Sequence, residues 1–172
     1  MTVESYIKVY DNFLSDNDCD AFYKDVEWKS HSWSNEKGEK VKENEDLYVT
    51  RLDPKFSYIS EKFEKVTQDY TQYTQLNVRN MTTSSSIPRL NRYKKNQFME
   101  SHIDHIQSLF DGERKGIPIL SSIVLLNDTF KGGELLFDLK LENKKIAPKL
   151  KKGSIVIWPS VFIYEHEITP II

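Results

Sequence analysis

Apolar residues recur at steps of four and three at Ile59, Phe63, Val66, Tyr70 and Tyr73, while Glu61, Lys62, Lys65 and Gln68 fall on the other faces. That spacing predicts a helix from about Phe56 to Leu76 with one buried stripe, which reads as core packed on a sheet. An earlier helix is predicted where Leu14-Ser15 is followed by Asp18, an N-cap with an acidic first turn, running through about Trp28. Strands are predicted at Tyr6–Val9, Leu47–Leu52, Ile87–Tyr93, Phe98–Asp104, Ile119–Asn127, Glu134–Phe137, Lys144–Ala147, Ser154–Trp158 and Tyr164–Ile168. The polar stretch Asn35–Asp46 and the segment HIQSLFDGERKG from His105 to Gly116 read as loops, the second long enough to cover something. The Ser/Thr cluster Thr82–Ser86 reads as a short linker. Only Gly38 lies in the first 111 residues, whereas Gly112, Gly116, Gly132, Gly133 and Gly153 crowd the rest. Long elements followed by short strands joined by turns predict a mostly β chain, α+β in class. A sandwich or barrel would carry a helical layer on one face.

Composition narrows the class further. A chain of 172 residues suffices for one domain with a sizeable core, here taken as residues 1–172. With 24 Lys+Arg against 26 Asp+Glu the net charge is −2, which disfavours a protein held to nucleic acid by bulk charge but leaves a local basic patch open. The 38% hydrophobic and 12% aromatic content excludes wholesale disorder. The longest apolar runs, such as Ile117 to Leu126, fall far short of a membrane span, and the first residues lack the pattern of a secretory signal. Cys19 is the lone cysteine, which rules out an internal disulfide and suits a reducing compartment. The expectation is a cytoplasmic protein with no membrane partner.

Candidate chemistry centres on the histidines, His31, His102, His105 and His166. His102 and Asp104 stand at i and i+2 in a predicted strand, so their side chains share a face and His105 points the other way. If that face lines a barrel, an imidazole and a carboxylate converge there, and His166, 64 residues on in another predicted strand, could supply a third ligand. Two His and one carboxylate with open positions is the arrangement of non-haem Fe(II) oxygenases. The same His-x-Asp triplet also fits a surface pair, and Glu165 and Glu167 around His166 also fit a solvated edge. The residues alone leave both readings open.

From Arg89 onward the pieces RLNRYKKNQFMESHID, SSIVLLND, KGGELLF, IAPKLKKGSIVIWPS and YEHEITPI follow one another in an order and at spacings that resemble the Fe(II)/2-oxoglutarate dioxygenase superfamily, specifically its prolyl 4-hydroxylase-like branch. The early YDNFLSDNDCDAF resembles the opening strand and helix of that family. The resemblance implies a double-stranded β-helix (jelly roll) with the N-terminal helices packed on one sheet. His102, Asp104 and His166 would be catalytic metal ligands, and Tyr93, Asn91 and Ser121 would lie at the co-substrate. For Tyr93 a buried strand tyrosine remains the alternative. Gly132 and Gly133 match a structural turn, and Gly153 begins the strand before the distal histidine. The implied cofactors are Fe(II), 2-oxoglutarate and O₂, with ascorbate as a stimulant. The implied reaction is hydroxylation of a C–H bond, most simply of a prolyl residue in a peptide or protein substrate, with release of succinate and CO₂. Related halogenases replace the carboxylate by a small residue, so Asp104 points to hydroxylation.

One departure stands out. The family places an Arg or Lys beyond the distal histidine, on a last core strand, to pair with the far carboxylate of 2-oxoglutarate. This sequence ends six residues after His166. Truncation of the last strand, a substitute such as Arg89, or impaired co-substrate binding would each account for it, and truncation is the expectation. Three other functions stay open at this point. They are an AlkB-like nucleic-acid demethylase, a catalytically silent β-barrel binding module, and a zinc hydrolase with the same ligands.

Overall fold

A computed structural model describes residues 1–24, 28–31, 45–49, 57–75, 85, 88–105 and 117–172. In chain order the elements are β1 (Lys8–Tyr10), α1 (Asp16–Tyr23), β2 (Lys29–His31), β3 (Glu45–Val49), α2 (Ser57–Thr74), β4 (Arg89–Tyr93), β5 (Met99–His102), β6 (Leu120–Val124), β7 (Leu135–Leu139), β8 (Lys144–Ile146), β9 (Ile155–Pro159) and β10 (Glu165–Ile168). The strands form three antiparallel sheets, ordered β1-β9-β6, β5-β10-β7-β8 and β2-β3-β4.

The two-sided burial of β9 sets the architecture. Side chains alternate across a strand, and here both faces are apolar. Ile155 and Ile157 pack toward Phe13, Leu14, Cys19, Val66 and Tyr70, which puts the two helices on the outside of the first sheet. Val156 and Trp158 pack toward Leu135, Phe137 and Leu139 of β7, which puts the second sheet on the inside. In β7 the alternation continues, with Leu136 and Asp138 less buried between the three core residues. The result is a helical layer on a two-sheet β core, as the sequence predicts.

Local signals account for the helices. The Ser15 hydroxyl accepts from the Asp18 N–H at 3.1 Å while the Ser15 N–H donates to the Asp18 carboxylate at 3.3 Å, a reciprocal cap that starts α1. Ser15→Ala is expected to lower stability by about 1 kcal/mol, read from the urea midpoint. The helix stops at Tyr23 rather than at Trp28, because Lys24 takes extended backbone (φ −72°, ψ 130°). α2 covers the predicted stripe and ends where Gln75 turns left-handed at φ 54°.

Other boundaries differ from expectation. β2 has no apolar alternation in Lys29–His31 and was not predicted; it exists through its backbone ladder to β3. β3 takes in Glu45 and Asp46, which read as loop, and β7 runs on to Leu139. β5 ends at His102, two residues before the predicted limit of Asp104. Its register places His102 opposite His166, so Tyr164 would come next to Asp104. The Tyr164 N–H is already given to the Val161 carbonyl at 3.0 Å, so the ladder cannot continue. Loop Asn35–Asp46 up to residue 44, the 106–116 part of the second loop, and most of Thr82–Ser86 lie outside the described residues.

Two glycine positions are dictated by close approach. At Gly132 (φ +71°) a Cβ would lie 2.2 Å from the Pro170 carbonyl oxygen, and at Gly153 (φ +80°) 2.3 Å from that of Leu14. Both are structural, as read from the sequence. The Gly132 turn lets residues 169–172 pair back, with Ile171 donating to Gln97 at 3.1 Å and Ile172 donating to Lys131 at 2.9 Å.

Candidate metal centre

His102 and His166 are direct cross-strand partners on β5 and β10, with ring centroids 4.4 Å apart. Asp104, just past β5, turns its carboxylate to both. Its oxygens lie 3.5 Å from His102 Nε2 and 3.7 Å from His166 Nε2. The three potential ligand atoms lie within 4.8 Å of one another, the one group of three such side chains able to hold a metal among the described residues.

The tautomers follow from the backbone. His102 Nδ1 is 2.8 Å from the Glu100 carbonyl and His166 Nδ1 is 3.0 Å from that of Tyr164. A carbonyl only accepts, so each neutral ring carries its proton on Nδ1 and leaves the Nε2 lone pair facing Asp104. His166 is 3% exposed, walled by Trp158 edge-on at 5.0 Å and by Phe137 at 5.5 Å. Burial holds its pKa below the usual histidine value despite the opposing pull of Asp104, so the ring is neutral at pH 7. At Asp104 burial pushes the carboxyl up, but the polar surroundings of His102, Ser121 and His166 outweigh it and hold it at about 2. Two neutral imidazole nitrogens and one carboxylate, presented from one side, fit a divalent first-row metal of the Fe(II) type.

The flanking residues divide cleanly. Glu165 and Glu167 face out, and Glu165 accepts from Ser101 at 2.8 Å and from Lys140. The solvated edge and the inward ligand are both present on β10, on opposite faces. Ser121 on β6 lies with its hydroxyl 2.6 Å from that of Ser160. Asn91, exposed, and Tyr93, half-buried, stand on β4 opposite Leu47 and Glu45 of β3, in the third sheet rather than in either sheet of the core. Arg89 is exposed at the start of the same strand. Sequence reasoning missed Ser160 and Trp158 as parts of the site, and also the carbonyls of Glu100 and Tyr164. The first two carried a signal, since continued alternation along β9 puts residues 156, 158 and 160 on the face turned toward β7.

Comparison with known proteins agrees with this geometry. Residues 88–172 match the 2OG-Fe(II) oxygenase superfamily. No curated protein sequence matches the chain significantly. Among solved structures, the viral collagen prolyl hydroxylase of Paramecium bursaria Chlorella virus-1 in its 2-oxoglutarate complex aligns with a TM-score of 0.61 at 20% identity, over 99% of this chain and 91% of that one. A prolyl hydroxylase from Trichoplax adhaerens, complexed with a hypoxia-inducible-factor peptide fragment, aligns at 0.66 and 14% identity, over 97% and 78%. A Pseudomonas putida prolyl-4-hydroxylase aligns at 0.63 and 14%, over 96% and 86%. These likenesses establish the double-stranded β-helix fold. With the matched segment spanning the whole His-Asp-His set, the chain belongs to the 2OG-Fe(II) oxygenase superfamily and is a 2-oxoglutarate-dependent dioxygenase with Fe(II) as its metal.

Proposed function

We propose that the chain hydroxylates a prolyl residue in a peptide or protein. The observation that carries the reading is the intact His102–Asp104–His166 set on a fold shared with proteins described as prolyl hydroxylases, one of them holding a peptide. Bound Fe(II) with 2-oxoglutarate would let O₂ serve as the oxidant, one of its oxygen atoms going into the C–H bond and the other into the succinate left when 2-oxoglutarate loses CO₂.

The chain's own residues supply position and environment. His102 and His166 would present Nε2 to the metal, each ring fixed by a carbonyl behind it. Asp104 would bring the negative charge, already ionised at neutral pH. Trp158 and Phe137 close the space behind His166 and keep water from that side. Tyr93 and Asn91 would meet the co-substrate from β4. Retention of Asp104 supports hydroxylation over halide transfer, because a carboxylate occupies the position a halide would need.

The test is mass spectrometry of a panel of proline-containing peptides incubated with protein, Fe(II) and 2-oxoglutarate in air. The expected result is a gain of one oxygen atom on a prolyl residue, matched by succinate and absent without 2-oxoglutarate. Turnover of alkylated oligonucleotides with no peptide product would replace this reading by nucleic-acid demethylation.

A further inference from the structure

We infer that Phe162 and Leu141 form an apolar docking site for the peptide substrate on the rim of the barrel at its metal end. The site takes a large aliphatic or aromatic side chain of the peptide, within about four residues of the residue hydroxylated. The inference rests on the prolyl-hydroxylase reading above and narrows the peptides that reading admits.

Strand pairing places both residues. β10 starts at Glu165 opposite Asp138, and its next residue, His166, lies opposite Phe137 of β7. Antiparallel pairing sends the chain before Glu165 and the chain after Leu139 out of the same end of the sheet. β5 reaches that end too, because His102 at its terminus pairs with His166 and Asp104 follows. Phe162 is therefore four residues before one metal ligand, and Leu141 four residues beyond that ligand's cross-strand partner. Four residues span at most about 14 Å, so a short stretch of extended peptide bridges either side chain and the metal centre.

Single exposed apolar residues are ordinary on a protein surface, but these two are held out by turns whose other residues are tied down. One turn is closed by the Tyr164 N–H on the Val161 carbonyl at 3.0 Å. There Val161, Ile163 and Tyr164 pack into the core, whereas Phe162 is 78% exposed. The other turn, Lys140–Glu142, is closed by the Asn143 N–H on the Lys140 carbonyl at 3.2 Å, and in it Leu141 is 71% exposed. Both turns are clamped to one residue of the N-terminal segment. The Val3 N–H donates to Glu142 at 2.6 Å, and the Tyr164 hydroxyl donates to the Val3 carbonyl at 3.0 Å. The two apolar side chains thus flank one fixed point, on a frame that needs little ordering when a peptide arrives.

The surrounding charges select the occupant. Lys140 pairs with Glu165, and Lys144 pairs with Glu4 and Glu142. With these charges matched among themselves, the turns offer an incoming chain apolar surface rather than net charge. That suits an aliphatic or aromatic peptide side chain and gives a phosphate backbone no counter-charge.

The experiment is affinity selection from a peptide library with one fixed proline and every other position varied. The protein is loaded with Mn(II) and 2-oxoglutarate for the selection, and selected peptides are then assayed for oxygen incorporation with Fe(II) in air. Leu, Ile, Met or Phe is expected to be enriched within about four residues of the proline, on one side of it. Phe162→Ser and Leu141→Ser should each weaken binding of a selected peptide about 10-fold, read by fluorescence anisotropy of its labelled form. Apo melting temperatures report folding, and the charge-transfer band with Fe(II) and 2-oxoglutarate reports the metal centre of each variant. Wild-type peptide affinity in both variants, or hydroxylated peptides with no enriched apolar position, would overturn the docking site and leave prolyl hydroxylation standing. A wild-type dimer that Phe162→Ser disperses in sedimentation would assign the patch to a contact between copies, and overturn the docking site likewise. No selected peptide, or none that gains oxygen from protein showing the band, would overturn the prolyl reading and the docking site with it.

Discussion

Asp104→Ala is expected to abolish Fe(II)-dependent decarboxylation of 2-oxoglutarate while the protein stays folded. Among the described residues, this side chain is the one carboxylate grouped with both imidazoles, with its oxygens 3.5 and 3.7 Å from their Nε2 atoms. Without it two imidazoles remain, one of them one-third exposed, and the described group has no carboxylate to offset the charge of a divalent cation. The loss should exceed the roughly 10- to 100-fold typical of an outer partner, because a direct ligand is removed. Asp104→Asn keeps the shape but not the charge and should fail as well. Folding should survive both changes. Asp104 lies outside the β5 ladder and contributes no apolar packing, so apo melting temperatures near that of the wild type are expected. A folded Asp104→Ala protein with full turnover would remove the carboxylate from the metal centre.

Trp158→Ala should produce the largest loss of stability. Trp158 is 1% exposed, lies edge-on to Phe137 at 5.2 Å, and is the largest fully buried side chain among the described residues. Truncation of such a residue costs about 3–5 kcal/mol, combining lost transfer energy and the cavity left behind. Against the roughly 5–15 kcal/mol that typically separates folded from unfolded chains, that is about a fifth of the total or more. The urea midpoint should fall accordingly. A second effect is local, since Trp158 also walls His166 at 5.0 Å, and water admitted there would loosen a metal ligand. Trp158→Phe should recover much of the stability, and more of it than of the metal affinity. A midpoint shift within the range of ordinary surface substitutions would mean that β9 does not carry the core as described.

These two residues also show what a sequence can disclose. Asp104 was legible from the His-x-Asp spacing and the ordered pieces that follow it, and α2 from its unbroken 3.6-residue period. Trp158 was legible only as a strand residue. That both faces of its strand are buried depends on helices and a second sheet far away in sequence. The end of β5 was misjudged because a strand stops where its partner stops, and the partner's limit is set by the turn that takes the Tyr164 N–H. The end of α1 was misjudged because no Gly or Pro marks Lys24. β2 was missed since Lys29–His31 has no side-chain pattern and owes its place to backbone pairing. Asn91 and Tyr93 were placed on one strand face correctly in parity, but the sequence holds no sign that β4 pairs with β3 in a separate sheet. Ser160 was passed over because a single serine after a strand is unremarkable until register brings it 2.6 Å from Ser121.

The central claim is that His102, Asp104 and His166 hold Fe(II) with room for 2-oxoglutarate. Its most direct test is anaerobic titration of the apoprotein with Fe(II) and then 2-oxoglutarate, followed by visible absorption, with Asp104→Ala in parallel. The expected result is a metal-to-ligand charge-transfer band that saturates with 2-oxoglutarate in the wild type and is absent from the variant. An equal band in the variant, or none in the wild type, would contradict the account.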